Sequence, residues 1–270
     1  MRALTVIYTI WLREVKTFVR ERSRIVGMIG QPLLYLLIVG QGIASGMKLN
    51  AAPGGIDYLK FMYPGIIGMS VLFTSIFSAM SIIWDREFGF LKEVLVAPVP
   101  RWGIAVGKIC GGASVALVQS MILIALGPFV GVTLSAGIIL QLLLLCFLLS
   151  FAVTSLGVLI AARMHSMQGF QMLMNFLVMP LYFLSGAMFP VQSAPPWMKM
   201  LMTIDPLTFG VDALRNVVFS GTAAESGKSL TDVARQAGLI RWDLGFDVSI
   251  LALVAAVLAG LASFSFSTAE

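Results

Sequence analysis

The chain has 270 residues, 59% of them hydrophobic and only 11% charged, with a mean hydropathy of +0.95, whereas a soluble domain carries roughly 25% charged residues. So little charge cannot keep a surface in water, so the bilayer is the solvent. The apolar runs, about 20 residues long and without alternation, read as helices rather than barrel strands. The net charge of +5 does not indicate nucleic acid: Arg2, Arg13, Lys16, Arg20, Arg22 and Arg24 crowd the N-terminus, where a basic end beside a span is a topology signal facing anionic lipid.

Residues 3–24 read as an amphipathic helix. Leu4, Ile7, Tyr8, Trp11, Val15, Phe18 and Val19 recur at helical spacing, and Arg13, Lys16, Thr17 and Arg20 take the other side. Such a helix lies in the membrane interface, although the first helix of a soluble domain shows the same pattern. Charges interrupt this stretch and it lacks a small-residue cleavage site, so no removable leader is expected. Six spans are predicted at 27–47, 62–84, 103–130, 137–162, 169–189 and 247–267. Short segments join them, except for 190–246, the longest stretch outside the spans. Lys and Arg in the N-terminal stretch and the short loops divide ten against two, which places both termini in the cytoplasm and 190–246 outside. The whole chain, 1–270, is expected to be one transmembrane domain.

Cys110 and Cys146 both fall within apolar runs, so neither a disulfide framework nor a metal cluster can be built from them. No Asp or Glu lies in a span core, and Lys108, near a span end, is expected to snorkel to water. This argues against a proton-coupled carrier. An intramembrane enzyme lacks its His cluster or Ser/Lys or Asp dyad. The SGKS at 226–229 follows Gly221 by one residue too many for a phosphate loop, and no strand precedes it. His165, alone in a turn, is read as solvated.

The segment 84–101, WDREFGFLKEVLVAPVPR, is the most informative. Asp85, Arg86 and Glu87 end the second span. Phe88, Leu91 and Leu95 share one helical face, and Pro98 and Pro100 stop it. From pattern alone, a docking helix and a loop that only fixes topology are equally well served.

The EFGFLKEVLVAPVPR stretch strongly resembles the permease subunits of type-2 ABC exporters, the daunorubicin-resistance and nodulation-permease group. Residues 184–215, LSGAMFPVQSAPPWMKMLMTIDPLTFGVDALR, resemble the same family's Gly-x-x-x-Pro turn and NPLTYxVDALR segment, with Asp205 where Asn is usual. The resemblance implies an all-α polytopic membrane protein: an interfacial helix, six spans, a coupling helix at 85–101 and external re-entrant helices within 190–246. It implies the permease subunit of an ATP-driven exporter in a bacterial inner membrane. Two permease chains would pair above two cytoplasmic ATPase subunits that bind ATP and Mg, and this chain would hold no cofactor. Coupling to the ATPase would fall on Arg86, Glu87, Phe88, Gly89, Leu91, Lys92 and Glu93, helped by Arg13, Lys16 and Arg20. Gln31, Tyr35, Phe73, Phe77, Asn175 and Phe183 lie on the spans that line the family's pathway. Their apolar and aromatic character suits a drug or lipid-like compound, and a lipid-linked glycan is a further candidate. The alternative is a secondary carrier or channel that needs no ATP.

Overall fold

The structure, a computed structural model, describes residues 2–40, 58–90, 99–221 and 230–268. Helix α1 (Arg2–Arg20) breaks at Glu21 before α2 (Arg22–Leu34), which passes into a π-helical turn, Tyr35–Gly40. Next come α3 (Tyr58–Ser78) and α4 (Met80–Glu87), a nearly continuous pair, and then α5 (Arg101–Ala125). They are followed by α6 (Ala136–Ala161) and α7 (Met167–Leu184). Short helices α8 (Pro196–Ile204), α9 (Pro206–Ser220) and α10 (Leu230–Gln236) precede α11 (Leu244–Thr268).

Among the described residues, five helices are long and apolar enough to cross a membrane: Tyr58–Glu87, Arg101–Ala125, Ala136–Ala161, Met167–Leu184 and Leu244–Thr268. The protein is an all-α polytopic membrane protein. These five correspond to the second to sixth predicted spans. The first predicted span, 27–47, is helical to Gly40, and its remainder lies outside the described residues. Two span ends fall earlier than expected. Helix α5 stops at Ala125, before Gly127, Pro128 and a left-handed Gly131, and α7 stops at Leu184, before a left-handed Gly186. Glycine adopts positive φ without the side-chain clash that L-residues meet, so it closes a helix.

Helix α3 occupies the centre, and its residues from Phe61 to Leu72 are buried. The hydroxyl of Tyr63 donates to the carbonyl of Leu123 at 2.9 Å near the end of α5, where that carbonyl also accepts the N–H of Leu126. Helix α1 lies along the first half of α5. Ala3 and Val6 approach Gly103, Ile7 and Ile10 approach Gly107, and Trp11 and Glu14 approach Gly111. Trp11 Nε1 also donates to Ser114 Oγ at 2.8 Å. Small residues every fourth position let two helix backbones come this close. The apolar side of α1 is therefore divided: Ile10 and Phe18 are buried, whereas Leu4, Tyr8 and Val19 remain exposed.

Arg101 reaches the carbonyl of Ser267, and Ala3 lies beside Gly103, so the beginning of α1 and the end of α11 share one end of the bundle. At the opposite end, α9 is almost wholly buried. Val211 meets Gly68, the eleventh residue of α3, and Gly210 meets Leu149 of α6. At 1.5 Å per residue, that contact lies about 15 Å along α3.

Candidate functional site

At the end of the bundle that holds α1, four charged side chains close on one another. Lys108 of α5 is 4% exposed. Its ammonium donates to Asp85 Oδ2 at 2.5 Å, to Glu14 Oε1 at 2.6 Å and to Ser81 Oγ at 3.0 Å. Arg13 donates a fork to the same Asp85, with Nη1 3.1 Å from Oδ2 and Nη2 on Oδ1, and its guanidinium lies 3.9 Å over the ring of Phe90. Two cations and two carboxylates balance. Charges drawn from water persist only when so paired and hydrogen-bonded. The network ties α1, α4 and α5 together immediately before residues 86–90. Lys108 does not snorkel: Glu14 and Asp85 supply its partners inside the bundle. Buried carboxylates lie near the ends of the long helices and outside the span cores: Asp85, two residues before the end of Tyr58–Glu87, and Asp247, three residues after the start of Leu244–Thr268.

Arg86 points away from this cluster and donates to the carbonyls of Ala162 and Met164. These acceptors follow the end of α6, where a helix leaves carbonyls unmet and a cation is favoured. Glu87 is exposed. Phe88 is 82% exposed although it is a large aromatic beside a membrane domain. Gly89 has φ +79, and among the described residues a side chain there would meet nothing within 4 Å. The positive φ makes this glycine a turn. The turn is closed by Phe88 N–H on Trp84 O at 3.0 Å and Gly89 N–H on Arg86 O at 3.2 Å. Leu91, Lys92 and Glu93 lie outside the described residues, as does SGKS. Arg13, Lys16 and Arg20 line one groove of about 310 Å³ on α1 with Thr9, Leu12 and Thr17. His165 is exposed, and among the described residues no group of His, Cys, Asp or Glu is placed to hold a metal.

Four of the six pathway candidates converge. Gln31, Tyr35, Phe73 and Phe77 line one cavity of about 300 Å³ with Met28, Pro32, Met69, Ser70, Thr74 and Gln119. Phe73 and Phe77 stack at 6.2 Å. Among the described residues the lining carries no charged side chain. A second cavity of about 190 Å³ shares Phe77 and extends to Glu14, Ser81 and Trp84, next to the ion network. Asn175 and Phe183 are not in either cavity; they sit on the exposed side of α7 with Met172, Phe176 and Met179.

At the opposite end, the DPLTFGVDALR segment serves structural bonds. Asp205 caps α9, accepting the N–H of Leu207 at 2.9 Å. Burial pushes its carboxyl up to about 7, against the lowering effect of hydrogen bonds from Leu207 and Thr208. Asp212 accepts the N–H groups of Arg241 and Trp242, each at 3.0 Å. Arg215 is 1% exposed; it donates to the carbonyls of Gly186 at 3.0 Å and Leu239 at 3.1 Å and lies 4.2 Å from the ring of Phe61. Burial lowers it to about 10, with Asp212 opposing, so it stays charged at neutral pH.

Sequence reasoning missed Lys108 and Glu14 as organising residues, because their partners are remote in sequence. It also missed the docking of α1, although Gly103-x-x-x-Gly107-x-x-x-Gly111 was a readable signal for close helix contact.

The family model described as ABC-2 type transporter matches residues 5–219. The chain is 29% identical over 211 residues to a protein of Cyanophora paradoxa named as the transport permease ycf38, covering 74% of this chain and 70% of that one. It is 25% identical over 210 residues to the inner membrane transport permease YadH of Escherichia coli, covering 77% and 80%. It is 27% identical over 163 residues to YbhR of Escherichia coli, named as a multidrug ABC transporter permease, covering 60% and 44%. With four-fifths of its length matched by the family model and an all-helical, membrane-spanning fold, this chain belongs to the ABC-2 type transporter family as a multi-pass permease subunit, which works with ABC ATPase subunits.

Proposed function

We propose that this permease is the membrane half of an ATP-driven exporter in a bacterial inner membrane, with both termini cytoplasmic. Two copies pair, and ATP and Mg are held by two separate ATPase chains beneath them. The observation that carries the reading is Phe88. It stands 82% exposed at a glycine-closed helix end, one turn from a buried ion network that joins α1, α4 and α5. An exposed aromatic anchor on a rigidly held turn fits the apolar hollow of a partner, and aromatic groups of this kind dominate binding energy. Movement of that partner acts on residues 85–101 and passes through Asp85 to the helices that line the cavities. The basic groove of Arg13, Lys16 and Arg20 extends the same docking surface. Glu87, Gly89, Leu91, Lys92 and Glu93 are assigned to it by their place in the motif.

The cargo proposed is a hydrophobic or amphipathic compound. The cavity of Gln31, Tyr35, Phe73 and Phe77 is aromatic, uncharged and carries a few hydrogen-bonding groups, and YbhR, a relative, is named for multidrug transport. Asn175 and Phe183, on the exposed side of α7, are proposed to complete the pathway where two copies meet.

The test uses the permease reconstituted with its partner ATPase. Phe88→Ala and Gly89→Pro should leave the permease in the membrane but weaken ATPase binding at least tenfold and abolish substrate-stimulated hydrolysis. Wild-type binding and stimulation in both variants would refute the coupling role. Transport that persists without any ATPase would instead establish an ATP-independent carrier. Orientation is checked by external cysteine labelling, which should reach position 225 and miss positions 2 and 90.

A further inference from the structure

Pro32 lies inside α2. A helix bonds each N–H to the carbonyl four residues earlier. Pro32 has no N–H, so the carbonyl of Met28 loses that partner, and an unmet carbonyl away from water is costly. In the structure, Gln119 reaches from α5 and its Nε2 donates to the Met28 carbonyl at 2.7 Å. Thr74 of α3 donates its hydroxyl to Gln119 Oε1, which orients the amide. Both polar side chains are buried. Just beyond Pro32 the helix changes geometry: the N–H of Tyr35 meets the carbonyls of Gln31 and Pro32, and the π-helical turn begins. Irregular helical turns of this kind frequently accompany functional sites. Pro32, Tyr35, Thr74 and Gln119 all line the 300 Å³ cavity.

We propose that Gln119, oriented by Thr74, is a positioning residue that replaces the backbone hydrogen bond deleted by Pro32 and so sets the bend of the first span against the cavity. The same amide borders the cavity, so an uncharged aromatic ligand with a hydrogen-bonding group competes for it and frees the bend. Among the described residues the lining has no charge to balance an ionic ligand, which favours the uncharged class. The released bend has a short route to the coupling end, because α2 continues α1, and α1 carries Arg13 and Glu14 into the ion network. The ligand half of this inference rests on the proposed transport role of the cavity, whereas the hydrogen-bond substitution does not.

A double-mutant cycle separates the two. Pro32→Ala restores an N–H to residue 32, which makes Gln119 redundant. The full-length permease, purified without its ATPase, is compared as wild type, Gln119→Leu, Pro32→Ala and the double variant. Gln119→Leu should lower the melting midpoint by about 5 °C in the wild-type background and by less than about half of that in the Pro32→Ala background, where only the bond from Thr74 is lost. Thr74→Val, a milder change, should show the same dependence on Pro32 at smaller size and serves if Gln119→Leu does not fold. Equal losses in both backgrounds would overturn the role of Gln119, leaving the exporter reading intact. For the ligand half, hydrogen–deuterium exchange of residues 33–36 is measured with N-phenyl-1-naphthylamine, an uncharged aromatic amine. The dye should speed exchange several-fold in the wild type and not in Pro32→Ala. Unchanged or slowed exchange in the wild type would overturn ligand competition while the cycle still stands.

Discussion

Lys108→Met tests whether the buried ion network holds α1 to the bundle. Methionine keeps much of the lysine stem but removes the ammonium that sits 2.6 Å from Glu14 and 2.5 Å from Asp85. Asp85 retains the fork of Arg13, so the loss falls chiefly on Glu14, whose side chain is only 14% exposed. Breaking a buried pair by removing one partner costs about 3–5 kcal/mol, because the other charge is left in place. For a chain of this size that lowers the melting midpoint by about 10 °C. The structure also predicts the remedy. Adding Glu14→Gln to Lys108→Met deletes the stranded carboxylate, leaves the Arg13–Asp85 pair neutral and should recover more than half of the loss. The assay heats detergent-solubilised permease through a temperature series and measures the monodisperse fraction by size-exclusion chromatography. If Lys108→Met melts within about 2 °C of the parent, or the second substitution restores nothing, the network does not stabilise this junction, and α1 is held by its glycine contacts alone.

Gly107→Leu should lift α1 from α5, because even a Cβ there would lie 2.8 Å from Ile10 Cβ; overpacking of this kind costs about 1–3 kcal/mol. A cysteine at position 10 should then become maleimide-reactive, while Gly260→Leu, where nothing lies within 4 Å, should leave it protected. Asp205→Asn addresses pH. The folded carboxyl is raised to about 7, so between about pH 4 and 7 the folded state holds a proton that the unfolded state has lost, and stability falls as pH rises through that window. The substitution keeps an oxygen for Leu207 N–H, removes this slope and should stabilise the protein at pH 8 by up to about 4 kcal/mol; melting curves from pH 4 to 8 that stay parallel in both proteins would contradict it. Arg215→Met should cost about 3 kcal/mol by stranding the two buried carbonyls of Gly186 and Leu239. Arg215→Lys should recover less than half of it in the same melting assay, since one ammonium cannot span both carbonyls and stack on Phe61.

The spans were legible because crossing a bilayer is a local demand: about twenty apolar residues in a row meet it wherever they occur. Five of the six appear as helices over nearly the predicted ranges, and the ends that moved did so at Gly127, Pro128 and Gly186, where turn chemistry overrides apolarity. The coupling motif was legible in part. Phe88 and Gly89 could be singled out from pattern and resemblance, but the left-handed turn at Gly89 needed its backbone angle. Arg86 shows the limit most clearly. Its neighbours in sequence suggest a surface charge, whereas its guanidinium closes the end of α6, 76 residues away.

The same holds for Lys108, whose position near a span end permits either water or a buried partner. Only the packing of α1 on three glycines of α5 brings Glu14, 94 residues distant, within reach. Gln119 could be read as one more polar side chain in a span until Met28, 91 residues away, was found to need its amide. Hydrophobicity and helical period act over one or two turns, and the sequence by itself therefore determined the solvent, the helices and the family. Hydrogen bonds and ion pairs act over about 3 Å between segments far apart in the chain. Which polar groups anchor the bend, the coupling turn and the closing segment was decided by tertiary structure alone.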